Sequence, residues 1–195
     1  MDLPLIDGAV ARDWLDRAEA RQGARALGKP AAAPLEGTAE LAGLAAVAAK
    51  FLAVGTPRTL GLIGARELGP ALVATQRAYA VPRELRIFDG DPVAAARLAE
   101  AVGGRVVSLT EACACDIVVA RGPVAIERAW VRNGTLVTAL DDGVVLAPAL
   151  LAAAHVYTVG VVPGVTATAT LGAVAAGLVD GRVLDEITIL MIRPE

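Results

Sequence analysis

The strongest constraint on this chain is a run of short apolar segments between residues 59 and 159 that alternate with helix-like segments. Residues 59–63, 85–88, 105–108, 117–120, 135–140 and 156–159 read as strands. Residues 70–80, 92–102, 126–130 and 148–153 read as helices, and 109–113 as a short helical turn. Pro70, Pro92 and Pro148 open three of these helices, where a missing N–H costs nothing. Strands separated by helices are joined by crossovers and so lie parallel. The strands carry apolar residues at both parities, as a sheet covered by helices on both faces requires. The composition agrees: 55% of residues are hydrophobic but only 3% aromatic. An interior of Ala, Val and Leu closes only when helices pack tightly onto the sheet. At 195 residues the chain is long enough to bury one such core.

Two helices are predicted ahead of the alternation. Residues 9–26 form a polar, Arg-rich helix with Trp14, Leu15 and Ala18 on one face. After a loop through Gly28, Pro30 and residues 31–34, Thr38 is the expected N-cap of an apolar helix over 39–54, which Gly55 and Pro57 end. The chain divides into an N-terminal segment, 1–35, and a main domain, 36–195. Residues 143–179 contain no Asp, Glu, Lys or Arg, but Pro148, Pro163, Gly160, Gly164 and Gly172 break the run. It reads as buried strand and helix, not as a membrane span. With Asp2 and Asp7 near the start and no apolar leader, the expectation is a cytoplasmic protein. A formal net charge of −3 with mixed signs offers no nucleic-acid face and no polybasic membrane anchor. Cys113 and Cys115 are one residue apart, too close to bridge easily, and only one histidine, His155, is available to complete a metal site. They read as buried thiols, and no metal is expected.

The segment Leu60-Gly61-Leu62-Ile63-Gly64-Ala65-Arg66-Glu67-Leu68-Gly69 lies between the first strand of the alternation and its helix. That is the position of the dinucleotide fingerprint G-x-G-x-x-G in a Rossmann-type domain. Its first glycine permits the turn, its second lets a pyrophosphate approach the backbone, and its third lets the helix pack closely. Gly64 and Gly69 supply the first and third; Arg66 occupies the place of the second. The acidic residue that binds the adenosine ribose belongs at the end of the second strand, where Asp89 stands, followed by Asp91. Arg66 has two expected outcomes. Its side chain collides with the pyrophosphate, or its guanidinium swings out to pair with a phosphate. Gly64 and Gly69 also read as ordinary turn and packing glycines, and Asp89 as a surface acid opening a turn.

Several segments resemble, in order, the ornithine cyclodeaminase/μ-crystallin/archaeal alanine dehydrogenase family. These are Gly37-Thr38-Ala39-Glu40 through Lys50-Phe51-Leu52-Ala53, Thr59-Leu60-Gly61-Leu62-Ile63-Gly64, and Leu85-Arg86-Ile87-Phe88-Asp89-Gly90-Asp91-Pro92. They continue with Glu111-Ala112-Cys113-Ala114-Cys115-Asp116-Ile117-Val118-Val119, Ala129-Trp130-Val131-Arg132-Asn133-Gly134-Thr135, and Gly181-Arg182 with Asp185-Glu186-Ile187-Thr188-Ile189. The resemblance implies an NAD- or NADP-binding Rossmann-type domain with Gly64, Arg66, Gly69, Asp89 and Arg121 around the cofactor. It implies Asp141 or Asp142 in the place of a catalytic aspartate. The chain also departs from the family. Residues 1–35 are a remnant of a larger substrate and dimerisation domain. Gly37 replaces an arginine that grips the substrate carboxylate, and Lys29 is the nearest candidate for a substrate-domain lysine. Arg121-Gly122-Pro123 stands where a threonine-containing turn is usual.

Three functions follow as expectations. The first is a degenerate, non-catalytic relative with lost or weakened dinucleotide binding, serving as a scaffold for self-association or a protein partner. The second is an active NAD(P)-dependent imine reductase, amino-acid dehydrogenase or cyclodeaminase, with Asp141 or Asp142 moving the proton. The third is a domain that binds a small anionic ligand through Arg66 and Arg121. The apolar tail 187–192 reads as a strand exposed by the missing domain, and from this a homodimer is expected.

Overall fold

The computed structural model describes residues 3, 5–31, 33, 35–141 and 143–193. Helix α1 (Gly8–Ala26) starts where the Asp7 side chain accepts the Ala9 N–H at 2.8 Å. Ala11, Leu15, Ala18 and Gln22 recur at helical spacing and form its buried face. Helix α2 (Gly37–Leu52) is apolar nearly all round, and Ala42–Ala49 are buried throughout. Its N-cap is Glu36 without a side-chain bond, not Thr38, which lies inside the helix. The helices meet through glycine: a Cβ on Gly43 would sit 2.8 Å from the Trp14 carbonyl oxygen.

The alternation then appears as expected. Strand β1 (Thr59–Ile63) leads through a 3₁₀ turn, Arg66–Leu68, into α3 (Gly69–Tyr79). Strand β2 (Glu84–Phe88), α4 (Pro92–Val102), β3 (Arg105–Val106), α5 (Leu109–Cys113) and β4 (Ile117–Ala120) follow. Strand β3 is shorter than the expected 105–108, because Ser108 is drawn into a capping box with Glu111 at the head of α5. Polar side chains of α3 answer α2 directly: Thr75 Oγ1 donates to the Ala42 carbonyl and Gln76 Nε2 to that of Ala45, both at 3.1 Å.

Beyond β4 the chain forms β5 (Val124–Ile126), a 3₁₀ turn at Arg128–Trp130, β6 (Leu136–Ala139) and β7 (Val144–Leu146). It ends with α6 (Pro148–Ala152), β8 (Ala154–Val159), β9 (Ala169–Thr170), α7 (Leu171–Ala175) and β10 (Ile187–Ile192). The expected helix over 126–130 is thus a strand end and a turn. β5 pairs with β7 in a separate two-stranded parallel sheet. Three-residue strands are too short to show a period of two, so the sequence pattern conceals them.

The main sheet has eight strands in the order β3-β2-β1-β4-β6-β10-β8-β9, and every strand pair in it is parallel. Helix α1 packs on α2, α3 and α7. A Cβ on Gly172 would lie 2.7 Å from the Gln22 carbonyl oxygen, so α7 is seated against α1 as closely as α2 is. The tail strand corrects an expectation: β10 is not an exposed edge but lies between β6 and β8, with all six residues buried. Its apolar residues at both parities mark an interior strand covered on both faces. The charge-free stretch 143–179 forms β7, α6, β8, β9 and α7, and among the described residues no helix is long and apolar enough to cross a membrane.

Candidate dinucleotide site

The chain runs outward from β1 to β2 and β3, then returns to lay β4 on the other side of β1. The reversal opens a crevice beyond the carboxyl ends of β1 and β4, where open α/β sheets bind ligands. Gly64 follows β1 with φ +64°, and its N–H donates to the Phe88 carbonyl at 2.9 Å. A Cβ there would stand 2.1 Å from the Arg121 carbonyl oxygen, so both conformation and space demand glycine. Gly69 serves packing: a Cβ on it would meet Leu98 of α4 at 2.4 Å.

Arg66 also has positive φ, +38°, an uncommon conformation for a residue bearing a Cβ. Its side chain turns onto Asp89: Nε donates to Oδ2 at 3.2 Å and Nη2 to Oδ1 at 3.3 Å. Asp89 is held from a second side, since the Asp91 N–H donates to Oδ1 at 2.8 Å, while the Asp91 side chain caps α4. The Asp89 carboxylate is only 5% exposed, whereas Arg66 is 55% exposed. The hydrogen bond from Arg66 to Asp89, reinforced by their opposite charges, raises the guanidinium above its ordinary pKa.

Across the crevice, Arg121 follows β4, and its N–H donates to the Ile63 carbonyl at 2.9 Å. Its Nε lies 3.5 Å from Oδ2 of Asp141, just beyond β6. Asp141 accepts the Gly122 N–H at 3.0 and 3.1 Å and the Gly143 N–H at 3.1 Å. Its carboxylate therefore staples the loops after β4 and β6 together. Asp142 lies outside the described residues.

These elements enclose a cavity of about 850 Å³ lined by Gly64, Arg66, Asp89, Arg121 and Asp141. Five residues singled out in the sequence thus share one space, whereas Gly69 is buried behind it. Lys29 is exposed after α1 and does not line it. The sequence reading missed the apolar wall made by Phe88, Leu109, Val124 and Trp130. Trp130 stands in the Ala129–Thr135 segment that carries the resemblance, but the sequence predicts a helix over 126–130, where the chain forms the end of β5 and a 3₁₀ turn. Cys113 and Cys115 lie elsewhere, as buried free thiols. Burial pushes them up to about 12 and about 11, so neither is a thiolate at neutral pH.

Fold and crevice together define a Rossmann-type α/β protein. No family model and no curated protein matches the chain. Solved structures do. An archaeal alanine dehydrogenase dimer with bound NAD superposes with a TM-score of 0.78 at 21% identity, over 95% of this chain and 86% of that one. A lysine cyclodeaminase gives 0.81 at 15% identity, over 96% and 82%. The Thermococcus litoralis Δ1-pyrroline-2-carboxylate reductase, in complex with NADH and L-proline, gives 0.70 at 18% identity, over 80% of this chain and 59% of the reductase. The proteins alike in fold thus carry the names of the family that the sequence resembles.

Proposed function

We propose that this chain is a non-catalytic, ornithine cyclodeaminase/μ-crystallin-like protein whose dinucleotide site has been weakened by its own side chains. One observation carries the reading: the two-point Arg66–Asp89 pair. Arg66 stands where the pyrophosphate needs bare backbone, and it engages the carboxylate that ribose hydroxyls would use. The residues present therefore do not fit NAD or NADP without rearrangement. Asp141 supports the same reading, because its oxygens already accept backbone N–H groups and face Arg121. Helix α1 of residues 1–35 packs on α2, α3 and α7.

Calorimetric titration with NAD, NADH, NADP and NADPH tests it. The expected outcome is no saturation below millimolar concentration for the native chain. Arg66→Gly is expected to tighten binding about tenfold or more, equivalent to 1.4 kcal/mol or more of binding free energy. Micromolar binding by the native chain, or no gain in the variant, overturns the reading.

A second reading, an active NAD(P)-dependent oxidoreductase or cyclodeaminase, is favoured by the cavity of about 850 Å³ and by NAD or NADH in the like-folded enzymes. It requires Arg66 to leave Asp89 when the dinucleotide arrives. The dimeric state of the archaeal alanine dehydrogenase supports a homodimer here, and light scattering at tens of micromolar checks it.

A further inference from the structure

A second rim stands on the carboxyl edge of the sheet, beside β8 and β10. Gly160 follows β8 with φ +78°, and a Cβ on it would lie 2.6 Å from the Arg193 carbonyl oxygen. The Arg193 N–H donates to the Val159 carbonyl at 2.9 Å. The cavity there is about 260 Å³ and is lined in part by Arg21, Arg25 and Arg193. Its arginines are out of reach or already committed. Nε and Nη1 of Arg21 are shut off from solvent, and Arg25 and Arg193 have interactions of their own. The crevice beside β1 and β4, at about 850 Å³, is the space of a size that takes small molecules.

Positive charge in that crevice is answered from within: Arg66 is held by Asp89, and Arg121 faces Asp141. Glu67, exposed, lines the same space. Its field reaches Arg66, but among the described residues no hydrogen bond or ion pair holds its carboxylate. Two arginines against three carboxylates leave the lining with one negative charge in excess. Such a lining disfavours the negative charge of a diphosphate bridge and favours a cation. The opposite wall is apolar. Phe88 and Trp130 contribute rings, Leu109 and Val124 flank them, and all four are half-buried. Half-buried rings in a cleft leave apolar area for a flat ligand to cover, and their π-faces attract positive charge.

We infer that the crevice beside β1 and β4 binds an aromatic amine, its ring against Phe88 and Trp130 and its ammonium group drawn to the carboxylate excess that Glu67 supplies. The inference rests on the reading of a weakened dinucleotide site, because it requires Arg66 to stay on Asp89 and not to serve a phosphate.

Titration with 2-phenylethylamine and with 3-phenylpropionate at constant ionic strength tests it, read by the indole N–H resonances of the native chain. The probes share ring and chain length and differ in the sign of their charge. The amine should move the Trp130 resonance saturably. Trp130→Phe identifies that resonance, since Trp14 is then the chain's only tryptophan. The carboxylate should need about tenfold or more higher concentration for half-saturation. In Glu67→Gln the amine's half-saturating concentration should rise about threefold, the size of an exposed charge interaction. No saturable movement with the amine, movement confined to Trp14, equal saturation by the carboxylate, or unaltered amine affinity in Glu67→Gln overturns the inference. Micromolar binding of NAD by the native chain defeats the dinucleotide reading whatever the amine does. Silence towards both amine and NAD defeats this inference alone.

Discussion

The two rims at the carboxyl edge are built alike and charged differently. At each, a glycine with positive φ follows one strand and abuts the carbonyl of an arginine that follows the neighbouring strand. At each, that arginine's N–H donates back across the strand ends at 2.9 Å. Beside β1 and β4 the arginine side chains close onto carboxylates of the same rim. Beside β8 and β10, Nε and Nη1 of Arg21 are shut off from solvent without a hydrogen-bond acceptor. Backbone geometry can thus be duplicated along one sheet edge while the side chains around each rim differ.

The largest expected effect probes the shared backbone. Gly64→Ala forces a Cβ to 2.1 Å from a carbonyl oxygen at φ +64°, while Gly160→Ala forces one to 2.6 Å at φ +78°. Urea unfolding should show a loss of about 3 kcal/mol at Gly64 and a smaller loss at Gly160. A negligible loss at either position would break the parallel between the rims. Next, Asp141→Ala removes the acceptor for the Gly122 and Gly143 N–H groups, and the same measurement should show a loss of about 1–2 kcal/mol. An unchanged stability would mean that the first rim is not self-satisfied as described.

The smallest effect concerns an answered pair remote from both rims. Glu84 lies between Arg86 and Arg105, whose hydrogen bonds lower its carboxyl from 4.5 to about 2. A depressed folded pKa adds stability above the unfolded value. That contribution fades as pH falls from 4.5 towards about 2. Glu84→Gln should flatten this part of the acid limb of stability without altering dinucleotide binding. An unchanged acid limb would show that the pair contributes nothing measurable.

Much of the first rim was legible in the sequence. Gly64, Arg66 and Asp89 could be placed because a glycine turn between strand and helix, and an acid at the next strand end, are fixed by local chain geometry. The direction of the Arg66 side chain was not legible. Its partner lies 23 residues away, and the choice between phosphate and Asp89 depends on where β2 sits beside β1. The second rim left no local signal, since Arg21, Gly160 and Arg193 come to line one cavity only when α1 packs on α2 and α7.

By itself the sequence determined the parallel α/β class, the glycine turn and the acid at the end of β2, because strand and helix periodicity and positive φ are properties of neighbouring residues. Tertiary structure alone decided that the tail strand lies inside the sheet, that Asp141 staples two loops, and which arginines find carboxylates. These outcomes depend on contacts between residues far apart in the chain, and no local pattern encodes them.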